Sequence, residues 1–296
     1  MTVCSVRPLP RWLKQGLPDH TTADMLRLLR EFSLDTVCVE AGCPNLTDCF
    51  ARKELTFLIL GGTCTRNCSF CKVEKNINPE IVDFPERAVS VNMSRLVRIL
   101  GLRYVVITSV TRDDLIDGGA GIFAQCLKEI RCLSGAVKAE VLIPDFQGSS
   151  SAIKAVVGSG PCVIGHNIET VPRLYAGLRP QADYARSLAV LSKAKDSNDR
   201  ILTKSSFMLG LGESETEVIQ SMRDLRNHGC DILVLGQYLR PSLKHYPVQE
   251  FVLPEKFQEY GDIAKSLGFK SVLSNPKARS SYKAEELYNE ATRCTT

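Results

Sequence analysis

Between residues 55 and 238 the chain repeats one pattern: a short apolar run rich in β-branched residues, then a longer segment of helical periodicity. The runs fall at 55–60, 104–110, 139–144, 162–168, 205–210 and 232–238. A strand followed by a crossover helix returns parallel to its predecessor, so six such units in order predict a parallel sheet. The runs are apolar almost throughout rather than alternating, which predicts that both faces are buried. The expected fold is therefore α/β: a partial (β/α)6 TIM-type barrel over 53–268. An N-terminal extension, 1–52, and a C-terminal extension, 269–296, lie outside the alternation and are expected to drape over the barrel.

Helix punctuation agrees with this reading. In the segment after the fifth run, Ser214 can cap the backbone, Glu217 can reach back to it, and Gly229 closes the helix. The Gly210-Leu211-Gly212 stretch is not a dinucleotide fingerprint, because Glu215 stands where its third glycine belongs. No apolar run approaches the roughly 20 residues of a membrane span, and the start lacks the apolar core of a secretion signal. A soluble, cytoplasmic protein without a membrane partner is expected. The net charge of +4 over 296 residues, with no run of Lys and Arg, argues against a nucleic-acid partner.

Cysteine is the abnormal component: there are 12, and six lie between Cys38 and Cys71. A chain this long builds a core without disulfides, so clustering points to metal ligation. Cys4, Cys126, Cys132, Cys162, Cys230 and Cys294 are scattered and read as small apolar or incidental residues. Cys64, Cys68 and Cys71 form a CxxxCxxC loop directly after the first strand and the Gly61-Gly62 turn. Structural zinc usually takes four ligands, often from two CxxC pairs, whereas this loop brings three. Three thiolates on a 4Fe-4S cluster leave one iron open to a chelating amine and carboxylate, the radical S-adenosylmethionine (SAM) arrangement. Cys38, Cys43 and Cys49 form a second triplet just upstream, also one ligand short. A zinc site with a remote fourth ligand is the alternative.

With both triplets in this order, the sequence resembles the lipoyl synthase family of radical SAM enzymes. Further matches are Arg279-Ser280-Ser281-Tyr282 in the tail, 10–14 near the start, 108–120, 166–174 and 236–242. The resemblance implies two 4Fe-4S clusters and SAM, with Ser281 as fourth ligand of the cluster on Cys38, Cys43 and Cys49. A serine oxygen is a harder ligand than thiolate, suited to an iron that is later released. It implies a 5′-deoxyadenosyl radical abstracting hydrogen from carbons six and eight of a protein-bound octanoyl-lysine, with sulfide taken from the auxiliary cluster. The implied partners are an octanoylated lipoyl carrier domain (a 2-oxoacid dehydrogenase subunit or a glycine-cleavage carrier), a reductant such as ferredoxin or flavodoxin, and an iron-sulfur carrier protein. The sequence departs from the family pattern at Gly42, Phe50, Gly62 and 275–278.

Asn167 and Glu169 leave the fourth strand at the end where barrel active sites form, placed to bond ribose hydroxyls. Arg179 and Lys204 could neutralise the cofactor carboxylate, and Phe70 and Thr108 complete the expected SAM contacts. Asp113 and Asp114 read equally as a solvated helix entry or as functional groups. His166 reads as a core histidine.

Overall fold

The computed structural model describes residues 8–14, 19–76, 86–133 and 137–294. Its first part holds α1 (His20–Glu31), β1 (Asp35–Thr36), α2 (Val37–Glu40), α3 (Leu46–Ala51), β2 (Thr56–Leu58), β3 (Thr63–Cys64) and β4 (Glu74–Lys75). The alternation proper continues through α4 (Glu86–Leu100), β5 (Tyr104–Thr108), α5 (Ala120–Arg131), β6 (Lys138–Leu142), α6 (Ser150–Gly158) and β7 (Val163–Gly165). It ends with α7 (Tyr175–Leu178), α8 (Tyr184–Ser197), β8 (Leu202–Leu209), α9 (Glu215–Asn227), β9 (Ile232–Gln237), α10 (Pro254–Ser266), β10 (Ser271–Ser274) and α11 (Ala284–Arg293).

Among the described residues the main sheet has eight strands in the order β1-β2-β5-β6-β7-β8-β9-β10, an open parallel sheet with β1 antiparallel at one edge. The six expected strands are all present, in the expected order. Their boundaries shift: β8 begins at Leu202, because Thr203 and Lys204 are buried despite their polarity.

Strand β9 explains how both faces are covered. Side chains alternate across a strand, and Leu233 and Leu235 pack outward against Val218, Met222 and Leu225 of α9 and Phe257 of α10. Ile232 and Val234 point the other way, joining Val163 and Leu202 against Ala278, Leu287 and Ala291 of the C-terminal segment. Each such side chain contributes about 1.5–3 kcal/mol on burial. The C-terminal extension is thus not merely draped outside. It adds β10 in parallel register to β9 and seals the inner face with α11. Gly236 makes this possible: a Cβ there would meet the Ala278 carbonyl oxygen at 2.1 Å, so only glycine lets the tail backbone lie so close.

The capping box of α9 forms as expected, Ser214 and Glu217 each bonding the other's backbone. The neighbouring glycine loop is closed by the protein itself. Glu213 accepts from the Gly210 and Leu211 amides at 2.5 and 2.9 Å, the donors a phosphate would need.

Candidate functional site

The CxxxCxxC loop leaves the C-terminal end of β2 and pairs with itself through β3 and β4. It is clamped from three sides. Arg66, between the first two cysteines, bonds Asp113 at 2.7 and 2.9 Å and Asp145 at 2.6 and 3.0 Å, and Arg186 reaches the same Asp145 at 2.7 Å. Arg66 is 5% exposed and Asp145 0%. Burial alone would raise the Asp145 carboxyl, but the Arg66 bonds and charge outweigh it and hold it far below the usual range. Thr65 ties the loop to Thr111, and Ser69 donates its amide to Leu178 O at 2.9 Å. On the third side, Tyr246 donates its amide to Ser69 O at 2.9 Å. His245 Nε2 donates to Cys71 O at 3.1 Å while its Nδ1 accepts from Ser242 Oγ at 2.8 Å.

The three thiols of the loop are free and half-buried. Burial raises Cys71 to about 12, and the Cys68 and Cys64 thiolates beside it add to the rise. Burial likewise raises Cys68, whose charge is favoured by the neighbouring Arg179 and disfavoured by Cys64 and Glu169. Three soft donors on one clamped loop, close enough to repel one another when ionised, fit a cluster that takes three thiolates.

The second triplet sits on short helices. Thr36 caps α2, which carries Cys38; Cys43 lies in the turn that follows, and Cys49 is on α3. Burial raises Cys38 to about 11, with Cys43 contributing, and Cys49 to about 12, with both other thiolates contributing. These three cysteines line a cavity of about 270 Å³ together with Arg279, Ser281 and Tyr282 of the tail. That volume is many times the roughly 30 Å³ of one water molecule, so the donors surround space for a polyatomic group. The donor set, three thiols and one hydroxyl, fits an iron-sulfur cluster with an oxygen ligand. Among the described residues, no three His, Cys, Asp or Glu side chains are grouped around a single-ion site.

The tail is pinned to this region at several points. Asn45 Nδ2 donates to Lys277 O at 2.7 Å, and Tyr282 Oη donates to Asp48 Oδ2 at 3.1 Å, with the Arg52 guanidinium 5.3 Å from the Tyr282 ring centre. The two triplet loops are neighbours. Gly42, at φ +60°, has the Lys72 ammonium 2.7 Å from where a Cβ would stand, so the residue before Cys43 packs on the residue after Cys71. Glu40 lies 3.7 Å from the corresponding point at Gly62.

Among the expected SAM contacts, three come together. Asn167 Nδ2 donates to Glu169 Oε1 at 3.0 Å; Glu169 has the left-handed φ of 62° that a non-glycine residue seldom takes, and Arg179 lies close by. Arg179 spends Nη1 on Asn167 O, Ile168 O and Tyr175 Oη, leaving its buried Nε without a partner. Phe70 packs in an apolar cluster with Leu178, Leu211 and Tyr238. Two expected contacts are otherwise engaged. Lys204 is ion-paired with Glu140 at 2.8 Å, both about 2% exposed or less, which removes it from neutralising a cofactor carboxylate. Thr108 donates its hydroxyl to Leu142 O at 2.9 Å.

Arg66 and Asp145 were not distinguished by their residue types, whereas His166, expected as a core histidine, is buried. His166 Nδ1–H donates to Ile143 O at 2.9 Å, leaving a bare, buried Nε2. Burial, with Arg179 adding, lowers its pKa to about 4, so the ring is neutral at neutral pH. Asp113 belongs to the loop clamp, and Asp114 pairs with Arg112 at 2.6 Å. Of the scattered cysteines, Cys126 and Cys230 are buried, Cys162 is half-buried, and Cys132 and Cys294 are exposed. Cys4 lies outside the described residues.

An open parallel barrel with three thiols on the loop after its first parallel strand defines a radical SAM enzyme. The model of the Radical SAM superfamily matches residues 58–225. Solved structures share the fold: the FeFe-hydrogenase maturase of Carboxydothermus hydrogenoformans has a TM-score of 0.58 at 14% identity, over 79% of this chain and 56% of that one. Methylornithine synthase has a TM-score of 0.51 at 13% identity, over 75% and 72%. At such identities the likeness concerns the fold alone, and the chain spans about half the maturase's length. Curated sequences are far closer. The lipoyl synthase of Caldanaerobacter subterraneus subsp. tengcongensis is 52% identical over 93% of this chain and 95% of its own length. That of Aquifex aeolicus is 51% identical over 89% and 94%. The chain belongs to the lipoyl synthase family, radical SAM sulfurtransferases. Membership brings one 4Fe-4S cluster and SAM as cofactors, and a protein substrate and a reductant as partners. Among the described residues no helix is long and apolar enough to cross a membrane.

Proposed function

We propose that the chain inserts sulfur at carbons six and eight of an octanoyl-lysine carried on a lipoyl carrier domain, using two clusters held on neighbouring loops. The cavity shared by Cys38, Cys43, Cys49 and Ser281 is the observation that carries the two-cluster reading. In this reading Cys64, Cys68 and Cys71 hold the radical cluster, and the other four hold the auxiliary one. When bound, the two groups supply one-electron cleavage of SAM and sulfide for transfer. Unactivated methylenes have neither an acidic proton nor a leaving group, so no side chain here could functionalise them by acid-base or nucleophilic chemistry.

The protein's own contribution is binding, orientation and exclusion of water. Asn167 and Glu169 bind the SAM ribose, and the buried Arg179 guanidinium supplies positive charge beside Glu169 and Cys68. Arg66 and its two aspartates hold the radical loop still. Ser281 contributes a ligand weaker than thiolate, which eases release of one iron when sulfide leaves. Electrons come from a ferredoxin or flavodoxin, and an iron-sulfur carrier protein rebuilds the auxiliary site, all in the cytoplasm.

The test is anaerobic incubation of the iron-loaded protein with reductant, SAM and an octanoyl-lysyl peptide, followed by mass spectrometry. Deoxyadenosine and a peptide carrying two sulfurs are expected, from protein with about eight irons per chain. A colourless zinc protein, or loaded protein yielding neither product, would overturn the reading.

A further inference from the structure

Arg279, Ser281 and Tyr282 of the tail motif line the auxiliary cavity. Ser280 does something different. Its hydroxyl donates to Asn167 Oδ1 at 3.0 Å, across a sequence separation of 113 residues. Asn167 has one amide oxygen and one amide nitrogen. With the oxygen accepting from Ser280, the nitrogen is turned toward Glu169 Oε1, also 3.0 Å away. Glu169 in turn faces Arg179 and influences Cys68. A thread of side chains therefore runs from the residue beside Ser281 to the edge of the radical loop. Consecutive Cα atoms are about 3.8 Å apart, so restraining Ser281 narrows the positions open to Ser280.

We propose that Ser280 is a positioning residue that couples the two sites: a loaded auxiliary site holds Ser281, hence Ser280, hence the Asn167–Glu169 pair in its SAM-binding orientation. This rests on the cluster and cofactor assignments above. Such coupling is reciprocal, so bound SAM also tightens the hold on the auxiliary group by the same factor. Its consequence is economical. SAM is engaged firmly while a sulfide donor is in place and loosely once that donor is spent, which limits unproductive cleavage.

The test is equilibrium dialysis of labelled SAM against anaerobic, iron-loaded protein in four main forms, with Ser280→Thr, loaded and emptied, as a control. The four are the parent, the Cys38→Ala/Cys43→Ala/Cys49→Ala variant that empties the auxiliary site, Ser280→Ala, and the combination. Emptying the auxiliary site should weaken SAM binding about fivefold or more in the parent background. Ser280→Ala should bind at the weakened affinity whether or not the site is loaded. Ser280→Thr, which keeps a hydroxyl, should restore the dependence, which a general loosening of the tail would not allow. Ser280→Ala retaining the parent's dependence, or a parent showing none, would overturn the coupling. Iron analysis of the same samples separates the failures. Loaded parent lacking auxiliary iron removes the two-cluster reading itself, whereas full iron with no dependence removes only the coupling.

Discussion

The two cysteine loops lie side by side but are secured in opposite ways. The radical loop is held by charge and hydrogen bonds from four neighbouring segments: Asp113 after β5, Asp145 after β6, Leu178 of α7, and the 242–246 stretch after β9. The auxiliary triplet rides on two short helices, and its cavity is walled by a tail that arrives from the other end of the chain. A cluster that must survive many turnovers suits a loop fixed by the barrel itself. In the two-cluster reading proposed above, a cluster consumed as reagent would suit a site whose last ligand is a single hydroxyl, Ser281, brought in by the C-terminal segment.

Substitution at the radical loop should have the largest effect. Cys68→Ala should abolish deoxyadenosine formation, with at least a thousandfold loss against an enzyme acceleration that commonly exceeds a millionfold; residual SAM cleavage within tenfold of the parent would break the assignment. Cys43→Ala separates the regions more finely. It should leave SAM cleavage present while removing sulfur from the peptide, and iron should fall from about eight to about four per chain. Ser281→Cys should keep the auxiliary iron yet slow sulfur transfer by about tenfold or more, following the stronger thiolate bond; unimpaired single-turnover transfer would reject the release role.

The clamp can be tested without turnover. Asp145→Asn leaves Arg66 unpaired at its buried end, and chemical denaturation should show a loss of about 3–5 kcal/mol. His166 predicts a milder pH effect. Its folded pKa of about 4 lies below the unfolded value near 6.5, so the unfolded chain binds the extra proton and stability is lost as pH falls through that window. His166→Gln should flatten the fall in melting temperature between pH 6.5 and 4.5; an unchanged slope would contradict the buried, neutral ring. Tyr282→Phe should have the smallest effect, about 0.5–1.5 kcal/mol, because its partner Asp48 is largely exposed.

The barrel was legible because burial on both faces writes itself as unbroken apolar runs, as in β5 and β9. Legibility ends where polar residues are buried in pairs. Lys204 looked like a free cation in sequence, since Glu140, 64 positions away, is visible as its partner only in space. Strand β10, with serine at both ends, carried too short a signal to be noticed, so the C-terminal segment was expected outside rather than against the inner face. Both cysteine triplets were readable from spacing alone. Ser281 was not; it came from resemblance, because nothing in a lone Arg-Ser-Ser-Tyr tells which cavity it will line. The Arg66 clamp was hidden for the same reason as Lys204: its aspartates are 47 and 79 residues downstream.

The most direct measurement follows the sulfur. Protein whose clusters are assembled with heavy-isotope sulfide is given SAM, reductant and octanoyl-lysyl peptide, with no sulfide in solution, and the product is weighed. Two labelled sulfur atoms per peptide, at no more than about one peptide per chain, are predicted, and none from the Cys38→Ala/Cys43→Ala/Cys49→Ala variant. Unlabelled sulfur in the product, or labelled product from that variant, would contradict a donor held by Cys38, Cys43, Cys49 and Ser281.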